Sequence, residues 1–206
     1  MPFLITFFII NTMKRPRLVL ASTSPRRRKL IAEAGLEFDV AAPRYTDEKN
    51  DAGEDPGRLV ERHAEAKARS VAAEHPGAVV IGADTIVVVD GAVLGKPAGE
   101  AEAEEMLATI AGRDHLVYTG VAVVYADAGA AETAHEVTKV TVRSLTADEI
   151  SRYVATGEPL DKAGAYAIQG IGCFIVERID GDYFNVVGLP MVLLSRLLKR
   201  FGYEVI

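Results

Sequence analysis

Four cationic side chains in a row, Arg26-Arg27-Arg28-Lys29, follow directly on Ser22-Thr23-Ser24-Pro25. Ser24 reads as a helix N-cap and Pro25 as the first helical residue, which puts the cations in a first turn whose macrodipole favours anions instead. Free backbone N–H groups, the hydroxyls of Ser22 and Ser24, and the guanidinium forks of Arg26 and Arg27 together suit a phosphate chain. A solvated basic cap is the plainer alternative, and the strand leading into Ser22 favours phosphate. A further cation, Lys67, lies on the apolar stripe of its helix with Val60, Ala64 and Val71. Either its stem snorkels along that stripe, or its ammonium is directed into a cleft to meet a phosphate.

Gly82-Ala83-Asp84-Thr85 places a carboxylate and a hydroxyl between two strongly apolar segments. A charge there is costly unless it is paired or metal-bound. At a strand end facing a pocket, Asp84 would hold a hard cation or take a proton from water, as phosphoryl hydrolysis requires; in a turn it would bond its own backbone. Lys96, after Gly95, lies shortly downstream and favours the first reading. The glycine-punctuated stretch from Glu158 to Gly170 resembles a binding loop on a scaffold. Within it Gln169 has the donor and acceptor pair to meet a nucleobase edge, or is merely solvated. His63, His75, His115 and His135 show no metal-ligand spacing and receive no role. No P-loop lysine motif, nucleophile elbow or dinucleotide fingerprint is present.

The elements that must carry these residues follow from pattern. Leu18 to Ala21 reads as a buried strand, the helix after Ser24 runs to a stop at Gly35, and Phe38 to Ala41 reads as a second strand. A helix from about Arg58 to Ala73 carries Lys67. Strand segments 78–83 and 85–89 flank Asp84, and Asp90-Gly91 is a hairpin turn before Ala92 to Leu94. Helix 100–110 has Ala103, Met106, Leu107 and Ile110 at helical spacing. Alternating strands 116–125 and 133–143 follow, and Thr146 with Glu149 forms a capping box for a helix to about Ala155. Residues 173–179, the turn Asp180-Gly181 and residues 183–187 read as a late hairpin, before a final helix from Pro190 to Arg200. The class is α/β.

At 206 residues, 49% hydrophobic and 25% charged, the chain has the composition of a globular domain with a substantial core. A net charge of −6 argues against a nonspecific nucleic-acid binder, which needs a positive excess to displace counterions. The one cysteine, Cys173, can form no intrachain disulfide, which fits a reducing, cytoplasmic setting. The apolar head is too short to span a membrane, and its basic residues follow the apolar run instead of preceding it as in a secretory signal. Residues 1–12 therefore read as an upstream extension, and 13–206 as a single domain.

Four segments taken together resemble the Maf family: Ser-x-Ser-Pro-Arg-Arg at 22–27, Gly-Ala-Asp-Thr at 82–85, Gly-Lys-Pro at 95–97 and Asp-Lys-Ala-Gly-Ala-Tyr…Gln-Gly at 161–170, with Val-Val-Gly-Leu-Pro at 186–190 after them. The resemblance implies a long mixed central sheet with a cleft between two lobes, related in shape to inosine triphosphate pyrophosphatases, and a homodimer. It implies hydrolysis of a nucleoside triphosphate to the monophosphate and pyrophosphate. Asp84 would be the catalytic base, sharing a divalent metal, Mg2+ or Mn2+, with Glu48. Arg26, Arg27, Lys67 and Lys96 would hold the triphosphate, and Arg26, Thr85 and Gln169 would select the base. Gln169 resembles the dTTP and UTP branch and not the 7-methyl-GTP branch. A non-catalytic nucleotide-binding regulator of septum formation is the alternative from another class. The run 43–47 before Glu48 and the apolar head depart from the family pattern.

Overall fold

Strand β1 (Arg17–Ala21) buries Leu18, Val19 and Leu20 on both faces, which sets it inside the sheet. The structure, a computed structural model, describes residues 16–45 and 53–206; the extension expected at 1–12 and the candidate ligand Glu48 lie outside them. Helix α1 (Pro25–Glu33) starts at the Ser24 N-cap, whose hydroxyl accepts from the Arg27 N–H. Strand β2 (Asp39–Ala41), helix α2 (Pro56–Ala72), strands β3 (Ala78–Val89) and β4 (Ala92–Leu94), and helix α3 (Glu100–Ile110) follow. Then come strands β5 (Asp114–Tyr125) and β6 (Ala130–Val142), helix α4 (Ala147–Val154) behind its Thr146–Glu149 capping box, strand β7 (Val176–Asp180), and helices α5 (Tyr183–Val187) and α6 (Met191–Lys199).

The seven strands of the described residues form one sheet in the order β2-β1-β3-β5-β6-β7, with β4 on the edge of β3. β2, β1 and β3 run parallel, whereas β3, β5, β6 and β7 pair antiparallel. This is the mixed α/β sheet expected. One face carries α2, with Ala64, Ala68 and Val71 on Val80 and Ala122, and Leu59 and Val60 on Ile86 and Val88. The opposite face carries two separate cores. Leu30 and Ile31 of α1 and Leu194 and Leu198 of α6 pack on Ile81 and Val121; Leu107 and Ile110 of α3 and Tyr153 and Val154 of α4 pack on Val87 and Val117. Between those cores stand Thr85 and Thr119, directly opposite each other across β3 and β5. A polar waist therefore divides the two cores. Among the described residues no helix is long and apolar enough to cross a membrane.

Two local expectations are corrected. The strand segments either side of Asp84 are one continuous strand, because Asp84 pairs with Gly120 of β5 and its charge is met by side chains of α2, leaving no need for a turn. The late hairpin is absent: residues 170–174 form a 3-10 turn, and 183–187 are α5. Asp182 caps that helix by accepting from the Phe184 N–H, and Gly188 closes it in the left-handed region at φ 115°. The run Tyr-Phe-Asn-Val-Val misleads because its β-forming residues surround Asn185. That side chain is buried and donates to the Val117 carbonyl and the Thr138 hydroxyl, which fixes the short helix against the sheet.

How close α2 lies to the sheet is decided by two glycines. A Cβ at Gly82 would stand 2.1 Å from the Ala64 carbonyl oxygen, and one at Gly120 2.2 Å from the Val60 carbonyl oxygen. Both contacts are with helix backbone, so the helix itself would have to lift. Gly82→Ala should therefore destabilise the protein by roughly 3 kcal/mol, read as a lower midpoint in urea unfolding. The same change should withdraw Lys67 from Asp84, and an unaltered midpoint would show that the helix has room to spare.

Candidate active site

β3 is paired with β1 only as far as Gly82, and with β4 only from Val87 onward. β5 occupies its other edge throughout this stretch. Between Gly82 and Val87 one edge of β3 is consequently left unpaired by the described strands, and there the chain of β1 turns away into Ser22-Thr23-Ser24. A cavity of about 680 Å³ opens at this gap. It brings together the described residues that the sequence singles out: Ser22, Ser24, Arg26 and Arg27 from the β1–α1 turn, Lys67 from α2, Asp84 and Thr85 from β3, Lys96 from the segment after β4, and Gln169 from the later loop. This crevice at the carboxyl end of a parallel strand is the usual ligand position in open α/β sheets.

At its foot lies Asp84, 7% exposed. The Lys67 ammonium donates to Oδ1 at 2.6 Å, and His63 Nδ1 lies 3.2 Å from Oδ2. Burial alone would raise the Asp84 carboxyl, but the His63 hydrogen bond, the Lys67 ammonium and the more distant Arg27 charge outweigh it and hold the group well below the usual carboxylate range. Asp84 is therefore ionised at any ordinary pH. The bond to Asp84 places the hydrogen of His63 on Nδ1. His63 Nε2, buried in the same pocket wall, has no hydrogen-bond partner among the described residues. The Tyr45 ring lies 5.8 Å from the His63 ring, centroid to centroid.

The cations differ in what they do. Arg27 turns inward: its Nε donates to the Gly188 carbonyl at 2.7 Å, Nη1 to the Ala83 carbonyl at 3.0 Å and Nη2 to Thr85 Oγ1 at 3.0 Å. The Thr119 hydroxyl donates to the Asn185 carbonyl, so across the 2.9 Å contact between the two threonines Thr85 is the donor. Arg27 thus covers the carbonyl bared at the β3 edge and organises the waist. Its charge faces the cleft while its hydrogen-bonding nitrogens tie the walls together. Arg26 reaches across the mouth to Asp161 at 3.7 Å. Lys96 is exposed on the wall; its neighbour Gly95 accepts from the Gly164 N–H at 2.9 Å, which joins that segment to the later loop. Ser22 is buried, its hydroxyl accepting from the Ser24 N–H at 3.2 Å. Gln169 is half-buried in the cavity wall. Behind it, Tyr166 bonds His115 Nε2 at 2.7 Å, and burial pushes His115 down to about 4, so that pair is neutral at neutral pH.

No group of three or more His, Cys, Asp or Glu side chains poised for a metal occurs among the described residues. Asp84 nevertheless suits one hard cation, because it is ionised and each carboxylate oxygen retains a second lone pair. Magnesium commonly takes only one or two protein carboxylates, with water and substrate phosphates filling the remaining positions. The residue that the sequence reading missed is His63. It lies four positions before Lys67, so both project from one side of α2 onto the same carboxylate. The available signal was that spacing, not any metal-ligand pattern.

The model of the Maf-like protein family matches residues 17–201. The chain is 56% identical over 189 residues, 92% of its length and 97% of the relative's, to a dTTP/UTP pyrophosphatase of Moorella thermoacetica. It is 46% identical over 192 residues, 93% of its length and 100% of the relative's, to a dTTP/UTP pyrophosphatase of Dictyoglomus turgidum. Among solved structures, a nucleoside-triphosphatase/dITP/XTP pyrophosphatase from Mycobacterium abscessus aligns with 61% of this chain and 72% of its own at 16% identity, with a TM-score of 0.38.

Removing the imidazole should show what it does for the carboxylate. His63→Leu leaves Asp84 Oδ2 without its donor in a buried place and should cost about 2 kcal/mol. His63→Asn, whose amide nitrogen can stand where Nδ1 stood, should recover much of that. Equal midpoints for the two variants in chemical unfolding would show that the hydrogen bond contributes nothing.

Proposed function

The chain belongs to the Maf family, and from that premise we propose that it hydrolyses a pyrimidine nucleoside triphosphate, dTTP or UTP, to the monophosphate and pyrophosphate. The observation that carries the chemistry is the buried Asp84 carboxylate, paired with Lys67 and His63, at the foot of a cleft whose walls present Arg26, Lys67 and Lys96. A polyphosphate needs cations along its length and one anionic oxygen donor near the bond to be cut, and this cleft offers both.

In this reading Arg26 and Lys96 hold the outer phosphates, and the N-terminus of α1, with the Ser22 and Ser24 hydroxyls, receives the phosphate chain. Phosphate oxygens compete with Asp161 for Arg26 and with Asp84 for Lys67, so each ion pair serves as an internal counter-ion until substrate arrives. A divalent cation, Mg2+ by preference, would be held by Asp84 with Glu48 and would neutralise charge developing on the phosphates. Asp84 orients the attacking water. With the Lys67 ammonium drawn towards phosphate, the carboxylate loses much of what lowers its pKa and becomes a better proton acceptor. Water adds at the α-phosphorus, the bond from that phosphorus to the bridging oxygen breaks, and pyrophosphate leaves. Gln169 and Thr85 face the base. The homodimer and the cytoplasmic setting are parts of the same proposal, supported by the family resemblance and by the single cysteine.

Pyrophosphate release should be confined largely to dTTP and UTP within a panel that also holds CTP, dGTP and 7-methyl-GTP, and should vanish when divalent metal is chelated. Release from 7-methyl-GTP alone would move the chain to the other branch, and binding without release would favour the regulator. Asp84→Asn should lower kcat by at least about a hundredfold while nucleotide affinity stays within a few-fold, because it removes the anionic oxygen and leaves the cations in place. Undiminished turnover would take Asp84 out of the mechanism.

A further inference from the structure

The segment that brings Asp161, Lys162 and Gln169 to the cleft is held by a carboxylate that does not line the cleft. Glu158 stands at its start. Its Oε1 accepts from the Tyr153 hydroxyl and from the Gly172 N–H, both at 2.9 Å, and its Oε2 accepts from the Ile171 N–H at 3.0 Å. The Tyr153 hydroxyl, carried on α4 and buried, in turn accepts from the Ala167 N–H at 3.2 Å. The Glu158 carbonyl accepts from the Lys162 ammonium at 3.0 Å. Gln169 thus lies between two anchored points, Ala167 and Ile171, and its side-chain amide makes no hydrogen bond among the described residues.

The fit around this carboxylate is close. Gly170 adopts φ +66°, and a Cβ there would stand 2.3 Å from Glu158 Oε2. A Cβ at Gly172 would stand 2.0 Å from the Ala167 carbonyl oxygen and 2.6 Å from the Tyr153 hydroxyl. The loop is therefore wrapped on Glu158 and Tyr153 with no slack for a side chain at either glycine. Two backbone N–H groups and a phenol converge on one carboxylate, an arrangement that a neutral amide cannot reproduce, since it would turn a donor towards a donor.

We propose that Glu158, acting through Tyr153 and the wrapped loop, is the positioning residue that sets base selection by fixing where Gln169 stands. This rests on the reading of Gln169 as the group facing the base. Glu158 touches neither phosphates nor base, so its effect falls on discrimination between bases and not on the chemical step.

Glu158→Gln keeps the volume and replaces one acceptor oxygen with an NH2 donor. In this variant the ratio of kcat/KM for dTTP over dGTP should fall about tenfold, carried by KM, with kcat for dTTP changed less than about threefold. Tyr153→Phe, which removes only the hydroxyl, should lower the same ratio by a smaller factor and serves if the first variant does not fold. Amide hydrogen exchange at Ile171 and Gly172 should quicken in Glu158→Gln, a readout independent of turnover. A general structural role would instead lower both substrates together. An unchanged ratio in both variants, or unchanged exchange with the pyrimidine preference intact, overturns this proposal alone. A wild type that turns over dTTP and dGTP alike removes the base-facing role of Gln169 as well, so the two failures are distinct.

Discussion

A buried carboxylate governs this structure. Asp84 lies in the middle of β3, where an unmatched charge would be untenable, and it is tolerated because α2 delivers an ammonium and an imidazole to its two oxygens. That delivery needs the helix backbone to approach the strands more closely than any side chain would allow, and Gly82 and Gly120 provide the approach. Sheet, helix and charge are therefore mutually conditional. Lys67 lies among Ala64, Ala68 and Val71 not by snorkelling to solvent but because its head group has a partner beneath it.

The other face of the sheet is arranged around the same strand. Two apolar cores sit at its two ends, and a polar chain passes between them from the Arg27 guanidinium through the Thr85 and Thr119 hydroxyls to the Asn185 carbonyl. Each donor in that chain has one acceptor, so the waist is hydrogen-bonded without opening the sheet. Arg27 belongs to both descriptions: it lends positive charge to the cleft and also holds α1, β3 and the turn after α5 together. A cation chosen from sequence as a phosphate holder is here equally a fastening of the walls.

Much of this was legible in the sequence. The Ser24-Pro25 start, the Asp90-Gly91 hairpin, the 100–110 helix and the Thr146–Glu149 box are written in local chemistry, and each stands where expected. Those of the chosen site residues that are described converge on one cavity. What local reading could not supply came from partners distant in the chain. Asp84 continues a strand because α2 neutralises it, and 183–187 are helical because Asn185 finds the Val117 carbonyl and the Thr138 hydroxyl. His63 was passed over because metal-ligand spacing was the wrong pattern to seek; its meaning lies in a shared carboxylate, visible only once α2 is laid across β3.

The bare edge of β3 between Gly82 and Val87 has one more consequence. An unpaired strand edge is ordinarily a template on which a foreign strand can add itself, and proteins blunt such edges with charge, brevity or cover. Here β1 blocks one end of the open stretch and β4 the other, while Arg27 already occupies the Ala83 carbonyl. No extended segment can align along it. The fold thus leaves a gap wide enough for a small ligand yet too short and too obstructed for another polypeptide to pair with β3, and so the opening of the cleft does not become a seed for aggregation.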